Sequence, residues 1–116
     1  MDPLESLRMR VRAFAAERDW EQFHTPKNLA MALAAEAGEL LEQFQWLTAE
    51  ESDQLDAPRR AAVSAELADV FIYLVRLCDR LEVDLWSAAS AKLEENAAKY
   101  PAALVRGQAR KYDEYE

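Results

Sequence analysis

A chain of 116 residues with 51% apolar side chains is long enough for one modest core and too apolar to be disordered. Its net charge of -8 excludes the basic footprint that a nucleic-acid polymer requires. The single cysteine excludes an intrachain disulfide framework and a cysteine-based zinc site.

Only 2 glycines and 4 prolines occur among many Ala, Leu and Glu residues, a composition that favours an all-α protein. No apolar stretch is long enough to cross a bilayer, and the N-terminus has no apolar run of signal-peptide type. A single domain spanning 1–116, in a reducing cytoplasm and without a membrane partner, is the expectation.

The spacing of Leu4, Leu7, Val11, Phe14 and Ala15 predicts a first helix over about 3–18, with Pro3 in its first turn. Residues 18–27 are aromatic, polar and aperiodic, and read as an ordered loop carrying Trp20, Phe23 and His24. Pro26 opens a second helix expected to end near Trp46. An acidic connector over 47–57 holds at most one turn, after Thr48. A third helix is expected over 58–81, and a fourth from the N-cap Asp84 to Ala98. Tyr100-Pro101 ends that helix, because the residue before proline disfavours helical backbone. The tail from Ala102 to Glu116 carries Arg106, Gly107, Arg110, Lys111 and Tyr112.

Two acid pairs at i, i+3 spacing stand out, Glu36 with Glu39 and Glu66 with Asp69. At about 100° per residue, Leu29, Leu33, Leu40 and Phe44 cluster within about 60°, and Glu36 falls at the edge of that stripe with Glu39 beside it. Val63, Leu67, Val70, Leu74 and Leu77 form the stripe of the third helix, with Glu66, Asp69 and Tyr73 on its margin. Either pair alone reads as a solvated face; both on core margins predict four carboxylates crowded around a cation. All-oxygen ligands select Mg2+, with Mn2+ as substitute, and the absence of Glu-x-x-His motifs disfavours a di-iron centre. Gly38, between the first pair, is expected where another helix or a ligand approaches closely.

Trp20 and Trp46 bracket the second helix and are candidates for stacking on a base, with His24 a donor beside Trp20. Trp86 reads as core, as does Cys78. Lys92, Asn96 and Lys99 share one face of the fourth helix, a face able to grip a polyphosphate.

These residues resemble the MazG-like all-α nucleoside triphosphate pyrophosphohydrolases, and among them the dCTP pyrophosphatase branch. The resemblance is carried by Arg18-Asp19-Trp20-Glu21-Gln22-Phe23-His24, Glu36-Ala37-Gly38-Glu39-Leu40, Phe44-Gln45-Trp46 and Glu66-Leu67-Ala68-Asp69-Val70. It continues through Tyr73-Leu74, Lys92, Asn96, Tyr100-Pro101 and Arg106-Gly107. It implies a four-helix bundle assembled as a helical homodimer or homotetramer, cleaving a nucleoside triphosphate to the monophosphate and pyrophosphate. It implies Glu36, Glu39, Glu66 and Asp69 as catalytic Mg2+ ligands, and Trp20, His24, Trp46 and Tyr73 as nucleoside contacts. Lys92, Asn96 and Tyr100 match positions near the phosphates. Two positions depart from the pattern: Ala35 stands where many members carry a further glutamate, and Val11 where close relatives carry a histidine. A broader (d)NTP pyrophosphohydrolase and a non-catalytic helical interaction module are the alternative readings.

Overall fold

The computed structural model describes residues 2–115, and among them every regular element is helical. Helix α1 spans Pro3–Glu17, α2 Pro26–Glu42, α3 Ala49–Ser52, α4 Ala57–Leu81, α5 Leu85–Lys99 and α6 Ala102–Val105, followed by a 3-10 turn at Tyr112–Glu114. The all-α expectation is met, and so are the four longer helices.

Each of those four starts on a side-chain cap that satisfies an otherwise orphaned backbone N–H. Asp2 accepts from the Glu5 N–H, Thr25 from Asn28, Asp56 from Arg59 and Asp84 from Ser87. Proline fills the first turn of α1, α2 and α4, where its missing N–H costs nothing. The single turn expected after Thr48 is α3, closed by a reciprocal capping box between Thr48 and Glu51.

Helix α2 stops at Glu42, four residues short of the expected Trp46. Gln43 and Phe44 donate to Leu40 and Leu41 three residues back, which tightens the chain out of α geometry. Arg59 Nη1 then donates to the Gln43 carbonyl at 2.6 Å, so a cation from α4 caps the C-terminal end of α2. The tail contains α6 and the 3-10 turn; Tyr115 Oη ties it back by accepting from the Arg110 N–H at 2.8 Å.

The chain divides into two compact units, one up to Glu82 and one from Val83. In the first, α4 packs against α2 and, less extensively, against α1. Its buried apolar side chains include Ala15, Leu29, Val63 and Val75, one or two from each helix. In the second, α5 leaves Trp86 73% exposed and Leu93 71% exposed. Trp86 is therefore not the core residue expected.

Candidate functional site

The contact between α2 and α4 brings the two acid-bearing faces together. Glu36, Glu39 and Glu66 each present a carboxylate oxygen, and these oxygens lie within 4.8 Å of one another, a set that can hold a metal ion. Glu36 and Glu66 are half-buried and Glu39 is exposed. Glu36 Oε2 and Glu66 Oε2 are buried with no hydrogen-bond partner. Two unpartnered carboxylate oxygens facing the same cluster are unfavourable as anions unless a cation sits between them.

The electrostatics carry the same signature. Burial first, then Glu39 beside it, lifts the Glu36 carboxyl above the ordinary carboxylate range, with Asp69 and Glu66 adding to the rise. Burial also lifts Glu66, and the charges of Glu39, Asp69 and Glu42 add to it. Asp69 is exposed and acts on both glutamates through its charge; it is not among the three whose oxygens converge. Glu42 also acts on Glu66 through its charge. Its signal was available: it continues the i, i+3 series Glu36, Glu39 by one more turn. The site thus fits a hard divalent cation held by carboxylate oxygens.

Gly38 does not sit at a close approach among the described residues. A Cβ there would meet nothing within 4 Å, so the space beside the acid pair is open.

The aromatic candidates differ in how they are held. The Trp20 ring packs edge-on to Phe14 at 5.8 Å between centroids and tilts against His24 at 6.3 Å. His24 is half-buried and accepts at Nδ1 from Arg76 Nε at 3.2 Å. Tyr73 is half-buried on α4, one turn beyond Asp69. Trp46 lies in the turn after α2 and is 87% exposed. A groove of about 480 Å³ runs along α1, walled by Leu7, Val11, Phe14 and Ile72, with Arg10 and Glu17 also lining it. Val11 therefore faces a cavity next to the Phe14–Trp20 pair, a placement the sequence reading had not anticipated.

Lys92, Asn96 and Tyr100 belong to the second unit. There Lys92 and Lys99 both pair with Glu95, at 3.3 and 3.4 Å, so the two lysines share one carboxylate and the trio keeps a positive charge. Asn96 is half-buried. Tyr100 packs edge-on between Tyr112 and Tyr115, at 6.5 and 6.1 Å, on the segment that reads Tyr100-Pro101.

Facing long helices with converging glutamates and two unpartnered carboxylate oxygens define an all-α fold with an acidic cluster that can hold a metal ion. Residues 31–114 match the MazG-like family, and the chain belongs to that family. The chain is 53% identical over 113 residues to human "dCTP pyrophosphatase 1", covering 96% of this chain and 66% of the human protein. It is 52% identical to the Rattus norvegicus protein of the same name, covering 94% and 65% of the two. The chain thus spans slightly less than two thirds of the length of these relatives. It also superposes on the crystal structure of a pyrophosphatase from Archaeoglobus fulgidus with a TM-score of 0.82 and 41% identity, covering 87% of this chain and 94% of that one.

Proposed function

We propose that the chain is a Mg2+-dependent nucleoside triphosphate pyrophosphohydrolase whose main substrate is dCTP, or a modified dCTP, in the clearing of the nucleotide pool. The observation that carries this reading is the convergence of Glu36, Glu39 and Glu66 with two buried carboxylate oxygens left unpartnered. The identity to proteins named "dCTP pyrophosphatase 1" selects the substrate.

In this reading Glu36, Glu39, Glu66 and Asp69 hold Mg2+, which when bound offsets the triphosphate charge and polarises the phosphorus–oxygen bonds. A water oxygen attacks the α-phosphorus, the bond from that phosphorus to the bridging oxygen breaks, and pyrophosphate leaves with the electron pair. The water proton passes to a carboxylate of the cluster and then to solvent. Trp20, Trp46, Tyr73 and His24 bind the nucleoside, and Lys92, Asn96 and Tyr100 are phosphate contacts that reach a neighbouring subunit's site. The family match runs through both compact units, which supports reading 1–116 as one domain.

A homodimer or homotetramer belongs to the same reading. Its support is apolar surface on α2 and α4: Met31 is 61% exposed, Leu41 62% and Leu67 51%. A cytoplasmic setting is supported by the free thiol of Cys78. Among the described residues no helix is long and apolar enough to cross a membrane.

The test is a pyrophosphate-release assay with Mg2+ over dCTP, dTTP, dUTP, dATP and dGTP, with Mn2+ in parallel and light scattering for the mass. Preferential release from dCTP supports the reading; no release from any of them ends it.

A further inference from the structure

We propose that Arg76 is a positioning residue for nucleoside binding: it fixes His24 as the tautomer protonated on Nε2 and seats that ring against Trp20. This rests on the nucleotide hydrolysis proposed above and adds a residue to the same site.

The geometry defines the tautomer. Arg76 Nε carries a hydrogen and His24 Nδ1 lies 3.2 Å from it, so Nδ1 is the acceptor and the ring proton sits on Nε2. A protonated imidazole would set a cation against the guanidinium, so the contact also keeps the ring neutral. The charged groups around the ring act mostly in that direction. Arg76 and Arg80 of α4 oppose protonation in addition to burial, and only Glu21 of the same loop favours it. His24 therefore offers one fixed N–H donor, next to the tilted face of Trp20.

Arg76 is itself held in place from the far side. Its Nη1 donates to Asp79 Oδ2 at 3.2 Å, and Asp79 accepts from Arg8 at 2.7 Å and from Arg12 Nε at 2.9 Å. Arg76 is 3% exposed, and its Nη2 is buried without a partner. A guanidinium kept in the interior with a donor unused is poorly explained by stability alone, since an apolar side chain would pack there at no such cost. The contact with His24 gives it a task.

The place on α4 suits that task. At about 100° per residue, Glu66, Asp69, Tyr73 and Arg76 fall within about 80° of one another. Arg76 lies about 10 Å along the axis from Asp69. The acids hold the phosphate end of that stripe, and Arg76 with His24 holds the end where a nucleoside would reach.

Long-range proton–nitrogen NMR tests the tautomer without assignment, because His24 is the only histidine. Wild-type protein is expected to show a bare Nδ1 and a proton on Nε2 across about pH 6 to 8. The His24 signals are expected to move when dCMP is added. Arg76→Met is expected to mix the tautomers and raise the KM for dCTP about tenfold, with kcat within about twofold. That KM should also climb at acidic pH, where a ring no longer facing the Arg76 guanidinium takes up a proton more readily. A wild-type proton on Nδ1, His24 signals unmoved by dCMP, or an unchanged KM in Arg76→Met overturns the proposal. A wild-type proton on Nδ1 overturns the proposal even if Arg76→Met fails to fold. If wild-type enzyme cleaves no triphosphate, the reading of function fails in the assay, whereas a wrong tautomer fails in the spectrum of an active enzyme.

Discussion

Arg8 on α1 donates from Nη1 to Oδ1 of Asp79 on α4 at 2.7 Å, although the two residues are 71 apart in sequence. Arg12 reaches the same carboxylate, and so does Arg76 on α4, so one buried anion gathers three guanidiniums. The Asp79 side chain is 5% exposed, and Arg12 and then Arg8 push its carboxyl from 3.8 down to about 2. A carboxyl with a lowered folded value stabilises the protein above its unfolded value, and that contribution disappears as pH falls through the folded one. The loss is therefore expected between about pH 4 and about 2, and is worth about 2 kcal/mol. Asp79→Asn should cost about 3 kcal/mol at neutral pH, because it leaves the arginines without their shared acceptor. Urea unfolding of both proteins at pH 7 and pH 3 checks this, with the gap expected to narrow at the lower pH.

The acid cluster predicts the opposite slope. Glu36 and Glu66 are raised by burial and by neighbouring carboxylates, so the folded state holds protons more tightly than the unfolded one. Stability is then lost as pH rises through the folded values, which lie above the unfolded value of about 4.3. In chelator, the melting temperature is expected to fall on going from about pH 5 to about pH 7, and millimolar Mg2+ should restore it at the higher pH. Glu36→Gln should raise the melting temperature in chelator at pH 7 while removing the response to Mg2+ and most of the activity. A calorimetric scan of the four conditions decides the point.

Much of this could be read from the sequence because helix starts are written locally. Pro3, Pro26 and the capping Asp84 each mark a boundary by chemistry within one turn. The end of α2 could not be read that way. Phe44 continues the apolar period, and what stops the helix is a carbonyl capped by Arg59, sixteen residues away. Helical phase put both acid pairs on core margins, but it could not say that Glu36, Glu39 and Glu66 converge while Asp69 stands beside them. That depends on how α2 crosses α4. The network of Arg76, His24 and Asp79 with Arg8 and Arg12 was invisible for the same reason: its members are ordinary surface types until α1, α4 and the loop at His24 meet.

Gly38 gives a cheap test of what lies outside this chain. Glycine inside a helix costs about 1 kcal/mol relative to alanine, and here an added Cβ meets nothing within 4 Å. Gly38→Ala is therefore expected to raise the melting temperature by about 4 °C or more if nothing else packs there. A fall in melting temperature together with a smaller mass in light scattering would show that a second copy approaches at Gly38. Unchanged mass with a raised KM would place the nucleotide there.

Trp46 separates binding from folding most cleanly. It is 87% exposed, in a turn whose backbone is fixed by Leu47 donating to Phe44 at 2.9 Å and by Arg59 holding Gln43. A side chain so exposed contributes little to the protomer, so Trp46→Ala should change stability by less than about 0.5 kcal/mol. Stacking an indole on a base is worth about 1–3 kcal/mol, so the same substitution should raise the KM for dCTP by roughly tenfold or more. The kcat should hold, because the carboxylates are untouched. Trp20→Ala should differ: its ring packs on Phe14 and His24, so both stability and KM should suffer. Chemical denaturation and steady-state kinetics on the two variants give the comparison. Trp46→Ala with an unchanged KM would remove Trp46 from the nucleoside site and leave Trp20 as the stacking surface.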